Sequence, residues 1–234
     1  MSPLSSLKTD PRTDLETVLA IETSCDETAA AVVTRDFRVI SERVFSQVRN
    51  HAPFGGVVPE VASRCHLEVL LPLVEETLSE AGDTRPHAVA VTAGPGLIGC
   101  LLVGVSFARG LGLRWDVPVY GIHHIEGHIC SVLLERPDWR PPFLALIVSG
   151  GHTETVLVRE FGSYEILGRT VDDAAGEAFD KAARLLGLGY PGGRILEREA
   201  ERCGEASVPP LVETIMPGSL DFSFSGLKTA LLYR

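Results

Sequence analysis

Residues 123–128, His-His-Ile-Glu-Gly-His, hold three of the chain's seven histidines. His124 and His128 stand four residues apart. On a helix that spacing puts both imidazoles on one face, about one turn apart, where they could grip a single cation. Two donors do not complete a site, so a third has to come from elsewhere in the chain. The likeness to the His-Glu-x-x-His metalloprotease motif is superficial. There the glutamate directly follows the first histidine, whereas Glu126 lies two residues after His124, about 200° round the helix from the metal face.

Three further clusters carry chemistry. Thr23-Ser24-Cys25-Asp26-Glu27 separates two apolar runs, a hairpin tip that displays hydroxyls and the carboxylates of Asp26 and Glu27. Ser149-Gly150-Gly151-His152-Thr153 is a second turn of small residues, with amides and hydroxyls suited to a phosphate or other anion. Asp172 and Asp173 precede a helix and are expected to cap it, but Asp180 lies mid-helix where no cap role exists. A glycine-rich loop, 187–193, follows it and brings backbone close to whatever Asp180 faces. A fourth turn, 94–99, joins a strand to a helix; its glycines serve either anion binding or close packing.

The elements that must position these groups follow from hydrophobic pattern. Residues 18–22, 28–34 and 37–47 read as an antiparallel meander, and 51–58 as loop. A long amphipathic helix runs from 60 to the stop at Gly82. Strand 87–93, helix 100–115 and strand 117–121 follow, with the histidine helix at the strand's carboxyl end, where open α/β sheets place ligands. Residues 137–142 are rich in proline and charge and read as a linker. Beyond it the pattern gives a strand over 164–169, a helix to Leu186, a short helix over 197–204, loop over 209–218 and a last helix from about Leu227. That helix lacks a terminating signal, so the chain reads as cut short.

Residues 146–158 echo 21–33: both run strand, hydroxyl-bearing turn, strand, and the Ser24/Ser149 and Thr28/Thr153 pairs share one offset of 125 residues. The echo points to duplication of one domain plan. It divides the chain into a lead-in (1–17), a first lobe with the histidine pair (18–136) and a second lobe (137–234). Composition, 45% hydrophobic and 22% charged, is that of a globular α/β protein. Five cysteines without a Cys-x-x-Cys pair exclude a zinc ribbon and a disulfide framework and place the chain in a reducing cytoplasm. Net charge of −10 excludes a uniformly basic nucleic-acid surface. The apolar stretch 96–113 is broken by Arg109 and glycines and reads as a buried helix, not a membrane span.

The segments 21–28 (IETSCDET), 55–64 (GGVVPEVASR), 92–97 (TAGPGL), 123–128 (HHIEGH), 148–153 (VSGGHT), 172–181 (DDAAGEAFDK), 190–193 (YPGG) and 221–228 (DFSFSGLK) together resemble the TsaD (formerly Gcp) family, in order and from about residue 18 to 234. The resemblance implies a duplicated two-lobe actin/Hsp70/sugar-kinase (ASKHA) α/β fold with the second lobe incomplete. It implies a tRNA N6-adenosine threonylcarbamoyltransferase, which moves the threonylcarbamoyl group of threonylcarbamoyl-AMP to the adenosine 3′ of the anticodon in tRNAs reading codons that start with A. The family's pattern makes His124 and His128 ligands of one divalent metal ion, iron or alternatively zinc. It places the adenylate on Ile147, Val148, Ser149, Gly150, Gly151, Asp180 and Gly193. The family's third metal ligand, an aspartate, and a further substrate-binding asparagine match no residue up to Arg234. Implied partners are tRNA, a paralogous ASKHA subunit and an ATPase subunit, with no membrane; Arg35, Arg38, Arg43 and Arg49 are the residues offered for RNA contact. A non-catalytic scaffold that pairs with an active subunit, and a phosphotransferase of the same fold, are the competing readings.

Overall fold

A computed structural model of the chain describes residues 16–83, 85–203, 211–212, 216 and 218–233. Most of the expected lead-in therefore lies outside the described residues, as does most of the loop expected at 209–218. The fold divides into two compact units: residues up to His51 together with Val57–Trp139, and Ala52–Gly56 together with Arg140–Arg234. The division falls three residues later than the sequence pattern placed it. The short 52–56 segment joins the second unit, although the chain order puts it inside the first lobe.

In the first unit, strands β1 (Thr17–Glu22), β2 (Glu27–Thr34) and β3 (Val39–Ser46) form the expected antiparallel meander. A helical turn, α1 (Val48–His51), and a 3-10 turn (Ala52–Phe54, grouped with the second unit) take up the start of the 51–58 segment expected as loop. The long helix α2 (Pro59–Glu80) follows, started by a proline at its first position, where a missing N–H costs nothing. Then come β4 (Ala88–Gly94), α3 (Ile98–Trp115), β5 (Val119–His123), the histidine helix α4 (His124–Cys130) and α5 (Val132–Glu135). The sheet order is β3-β2-β1-β4-β5, with β1, β4 and β5 parallel. Leu19, Ile21, Ala30, Val32, Val89 and Val91 project from one face of that sheet onto Leu70, Leu73 and Val74 of α2 and Ala108 of α3. Burying this face of branched side chains drives the layer together, at about 1.5–3 kcal/mol for each large one fully removed from water.

Glycines set how closely α3 can lie on the sheet. A Cβ at Gly104 would sit 2.2 Å from Thr23 Oγ1, and one at Gly96 2.6 Å from the Ser24 carbonyl. The Leu97 amide also donates to that carbonyl at 2.8 Å. The 94–99 turn is thus built for packing against the first hairpin tip. α3 is long and apolar enough for a bilayer by length and composition alone, but its Cys100, Gly104, Ala108 and Gly112 face is buried inside the protein.

The second unit opens with the same plan. β6 (Phe143–Val148), β7 (Thr153–Glu160) and β8 (Ser163–Arg169) make a second antiparallel meander. Among the described residues three helices follow: α6 (Ala175–Leu185), α7 (Gly193–Arg202), which starts earlier than the 197–204 pattern indicated, and α8 (Ser225–Leu232). Phe222 pairs in parallel with Thr170, extending the end of β8. Among the described residues this sheet has three strands where the first has five.

Candidate functional site

Three parallel strands, β1, β4 and β5, end side by side, and their carboxyl ends carry the residues around the histidine pair. Glu22 closes β1, Thr92 lies near the end of β4, and His124 follows directly on β5 as the first residue of α4. The one-turn spacing does what the sequence predicts. The two Nε2 atoms of His124 and His128 lie 3.2 Å apart, with ring centroids at 4.5 Å. Two imidazole donors at about 2.0–2.1 Å from one cation, at angles between right and tetrahedral, stand about 2.9–3.4 Å apart, so the pair fits a shared metal. Among the described residues no cluster of three or more His, Cys, Asp or Glu donors forms.

Behind His124 lies a polar cluster to which the sequence analysis gives no role. Glu22 Oε2 is 3.4 Å from His124 Nδ1, and Ser24 Oγ is 3.3 Å from the same nitrogen. The Glu22 carboxylate accepts from the Ser24 amide through one oxygen and from the Thr92 hydroxyl through the other. Burial pushes the Glu22 carboxyl upward, but hydrogen bonds from His124, Ser24 and Thr92 outweigh it and leave its pKa at about 2. Glu22 is therefore an anion at neutral pH. A lone acid ending an apolar strand beside a hydroxyl-rich turn was the one signal for it in the sequence.

The hairpin tip that bears Asp26 and Glu27 is fixed from below. The Asp26 carbonyl accepts from the Gln47 amide at 3.0 Å, and the Cys25 carbonyl accepts from His66 Nε2 at 3.0 Å. His66 Nδ1 in turn takes the Thr28 hydroxyl at 2.7 Å, both of these side chains being fully buried. Asp26 itself is half-buried and Glu27 exposed.

In the second unit, the sequence-predicted residues gather round one helix. The Ser149 turn closes on itself, with Ser149 N–H donating to the His152 carbonyl at 2.8 Å and His152 N–H to Ser149 Oγ at 3.0 Å. Space above Gly150 and Gly151 is open. The start of α6 packs on this turn: Gly176 N–H donates to the Ser149 carbonyl at 3.1 Å, and a Cβ at Gly176 would meet that oxygen at 2.7 Å. Asp180, one turn further along α6, accepts from the Gly192 amide at 2.7 Å, which draws the glycine loop and Gly193 onto the helix.

Asp172 and Asp173 do not cap α6, contrary to the sequence reading. The Ala175 amide is taken by Thr153 Oγ1 at 2.9 Å, so the hairpin caps the helix. Asp173 pairs with Lys181 at 2.6 Å. Asp172 accepts from the Phe224 amide at 2.8 Å and from the hydroxyls of Ser223 and Ser225 at 2.6 and 2.7 Å, securing the entry to α8. Arg43, offered for RNA contact, forms ion pairs with Glu76 and Glu80.

Residues 38–234 match the TsaD family, described as tRNA N6-adenosine threonylcarbamoyltransferase. Curated relatives of that name include one from Trichlorobacter lovleyi, 56% identical over 217 residues, covering 92% of this chain and 63% of the relative. One from Clostridium perfringens is 51% identical over 221 residues, covering 94% and 65%. The chain therefore spans under two thirds of the length of these relatives. Among solved structures, the Acidaminococcus fermentans (R)-2-hydroxyglutaryl-CoA dehydratase component A is similar in fold, with a TM-score of 0.51 over 93% of this chain and 67% of that one, at 10% identity. The expected fold class, two α/β lobes opening on one repeated plan, holds.

Proposed function

The chain belongs to the TsaD family, and from that premise we propose that it carries the threonylcarbamoyl-transfer site of a tRNA N6-adenosine threonylcarbamoyltransferase. The observation that carries this reading is the approach of His124 Nε2 and His128 Nε2 to 3.2 Å, with the Glu22 carboxylate behind the first ring. His124 and His128 would hold a divalent cation, iron or zinc, which when bound supplies a Lewis acid for the acyl-phosphate oxygens of the donor.

The remaining roles belong to the protein's own groups. Threonylcarbamoyl-AMP is a mixed anhydride, so its carbamoyl carbon is already activated. The amides of Gly150 and Gly151, on the turn that Ile147, Val148 and Ser149 lead into, would face the acyl-phosphate where negative charge grows. Asp180 holds the glycine loop through one oxygen and would take a ribose hydroxyl with the other, while Gly193 lets the adenosine approach the backbone. The N6 amine of the tRNA adenosine attacks the carbamoyl carbon. A C–N bond forms, the C–O bond to phosphate breaks, and AMP departs with the bonding pair. The amine's proton passes to a carboxylate, for which Asp26 and Glu27 on the hairpin tip are the candidates. Positioning of two bound reactants supplies much of the rate in such a transfer. tRNA, a paralogous subunit and an ATPase subunit are the partners in this reading, and the cytoplasm is its place.

The test is direct. The chain, completed with the part of the Trichlorobacter lovleyi relative that it does not cover, is incubated with threonylcarbamoyl-AMP and tRNA, and digested nucleosides are resolved by mass. Modified adenosine is expected, and its loss in a His124→Ala, His128→Ala double variant. Full modification by that variant would overturn the role of the pair.

A further inference from the structure

We propose that Glu22 is a positioning residue that fixes the tautomer of His124, turning its Nε2 lone pair toward His128 and the cation they would share. A carboxylate is an acceptor only, and Glu22 already receives the Ser24 N–H on one oxygen and the Thr92 hydroxyl on the other. His124 Nδ1, 3.4 Å from Oε2, can therefore face this group favourably only as N–H. Ser24 Oγ, 3.3 Å from the same nitrogen, accepts the other share of that hydrogen. A neutral imidazole protonated on Nδ1 leaves Nε2 as a lone pair, and Nε2 is the atom that meets His128 Nε2 at 3.2 Å.

The fold shows why the glutamate sits there. Ile21 and Leu19 point into the core beneath the sheet, so the strand's alternation turns Glu22 to the opposite face, at the end where β1, β4 and β5 finish together. It is one-third exposed and His124 one-fifth, so the contact is sheltered from water without being sealed. A carboxylate behind a ligating histidine raises the ring's basicity and holds its orientation, and losing such a partner lowers metal affinity about 10–100-fold.

The inference rests on the metal reading for the metal arm, but its first readout needs no metal. In long-range 1H–15N correlation spectra of the chain without metal, with His124 assigned by its disappearance in His124→Ala, the ring should show the Nδ1–H pattern. An Nε2–H pattern there overturns the proposal without recourse to any variant. Glu22→Gln is isosteric but must keep its carbonyl toward the Ser24 amide, which turns an NH2 donor toward Nδ1. The ring should then change to Nε2–H, and Co2+ affinity, read by the absorption of the bound ion, should fall about 10–100-fold with little change in the urea midpoint. A side chain serving only to fill space would leave both tautomer and Co2+ affinity unmoved in Glu22→Gln, and that result also overturns the proposal. If the unsubstituted chain binds no Co2+ while the tautomer still changes in Glu22→Gln, the metal reading fails and the assignment of Glu22 stands.

Discussion

Replacing His66 by leucine should destabilise the first unit by about 2–4 kcal/mol, through hydrogen bonds and not through lost volume. His66 is fully buried and joins three segments: its Nε2 donates to the Cys25 carbonyl at 3.0 Å, its Nδ1 accepts the Thr28 hydroxyl at 2.7 Å, and the Gln47 side-chain amide lies 3.4 Å from the ring. Leucine fills a similar space and can do neither job. The Thr28 hydroxyl, itself fully buried, is left without an acceptor at a cost of about 1–3 kcal/mol, and the Cys25 carbonyl loses a bond of about 0.5–1.5 kcal/mol. Thr28→Val alone should cost about 1–3 kcal/mol by leaving Nδ1 unmet, whereas the double variant removes both polar partners of that bond. The cycle should therefore close with a coupling above about 1 kcal/mol, read from urea unfolding followed by far-UV circular dichroism. Additivity within about 0.5 kcal/mol would refute the assignment of the tautomer and of the bond.

The same histidine sets a pH dependence. Burial lowers the pKa of His66, against the raising effects of the Cys25 carbonyl and the charges of Glu22 and Asp26. The unfolded chain then takes up a proton near pH 6.5 while the folded one does not, so stability falls as pH drops below about 6.5. The slope reaches at most about 1.4 kcal/mol per pH unit until the folded ring itself titrates. His66→Leu should flatten the curve between about pH 6.5 and 5, above the range where carboxylates protonate.

Other substitutions test the packing around the two sites. Asp172→Ala should release the entry to α8, speeding hydrogen exchange at the Phe224 and Ser225 amides, at a cost of about 0.5–2 kcal/mol typical of a lost cap. Burial acts upward on Asp172, but bonds from Ser223, Phe224 and Ser225 hold its carboxyl below the usual range, so this anchorage persists above about pH 4 and is lost as pH falls further. Gly96→Ala puts a methyl 2.6 Å from the Ser24 carbonyl, which should cost about 1–3 kcal/mol in urea unfolding and weaken Co2+ binding by displacing Ser24 from Glu22 and His124. The β6 strand exposes Leu144, Leu146 and Val148 and, among the described residues, pairs on one side only. Concentration-dependent association is expected in light scattering and should weaken in Leu146→Lys; a monodisperse monomer at all concentrations would refute it.

Local pattern carried the elements because their faces are set by local periodicity. Alternating or continuous apolar runs place the eight strands of the described residues within a few residues, and the 125-residue echo matches the repetition of β1 and β2 by β6 and β7. The histidine pair was legible for the same reason: a four-residue spacing on a helix is a local fact. Residues 51–54 read as loop because Pro53, Gly55 and Gly56 suggest it, while the Gln47 carbonyl accepts from both Asn50 and His51 and closes a helical turn before the proline. Glu22 was missed because its partners lie 70 and 102 residues away and are brought together only by the parallel pairing of β1, β4 and β5.

Asp172 shows most clearly how a sound local rule loses to a distant group. Acids just before a helix ordinarily cap it. Here Thr153, fixed opposite Val148 in the β6–β7 register, reaches the first amide of α6, and the Ser149 carbonyl takes the next. With those donors satisfied from the hairpin, Asp172 is turned to the segment 223–225 instead. The start of α6 is thereby made part of the Ser149 turn. One rigid unit then carries the Gly150 and Gly151 amides, Asp180 and the 187–193 loop, and a ligand that engages the turn meets Asp180 at a spacing fixed by a single turn of helix. Thr153→Val should accordingly disturb Asp180 and the Gly192 amide as well as the hairpin, a coupling that amide chemical shifts at Gly192 would reveal. A Gly192 signal unmoved by that substitution would refute the idea that hairpin, helix and loop act as one piece.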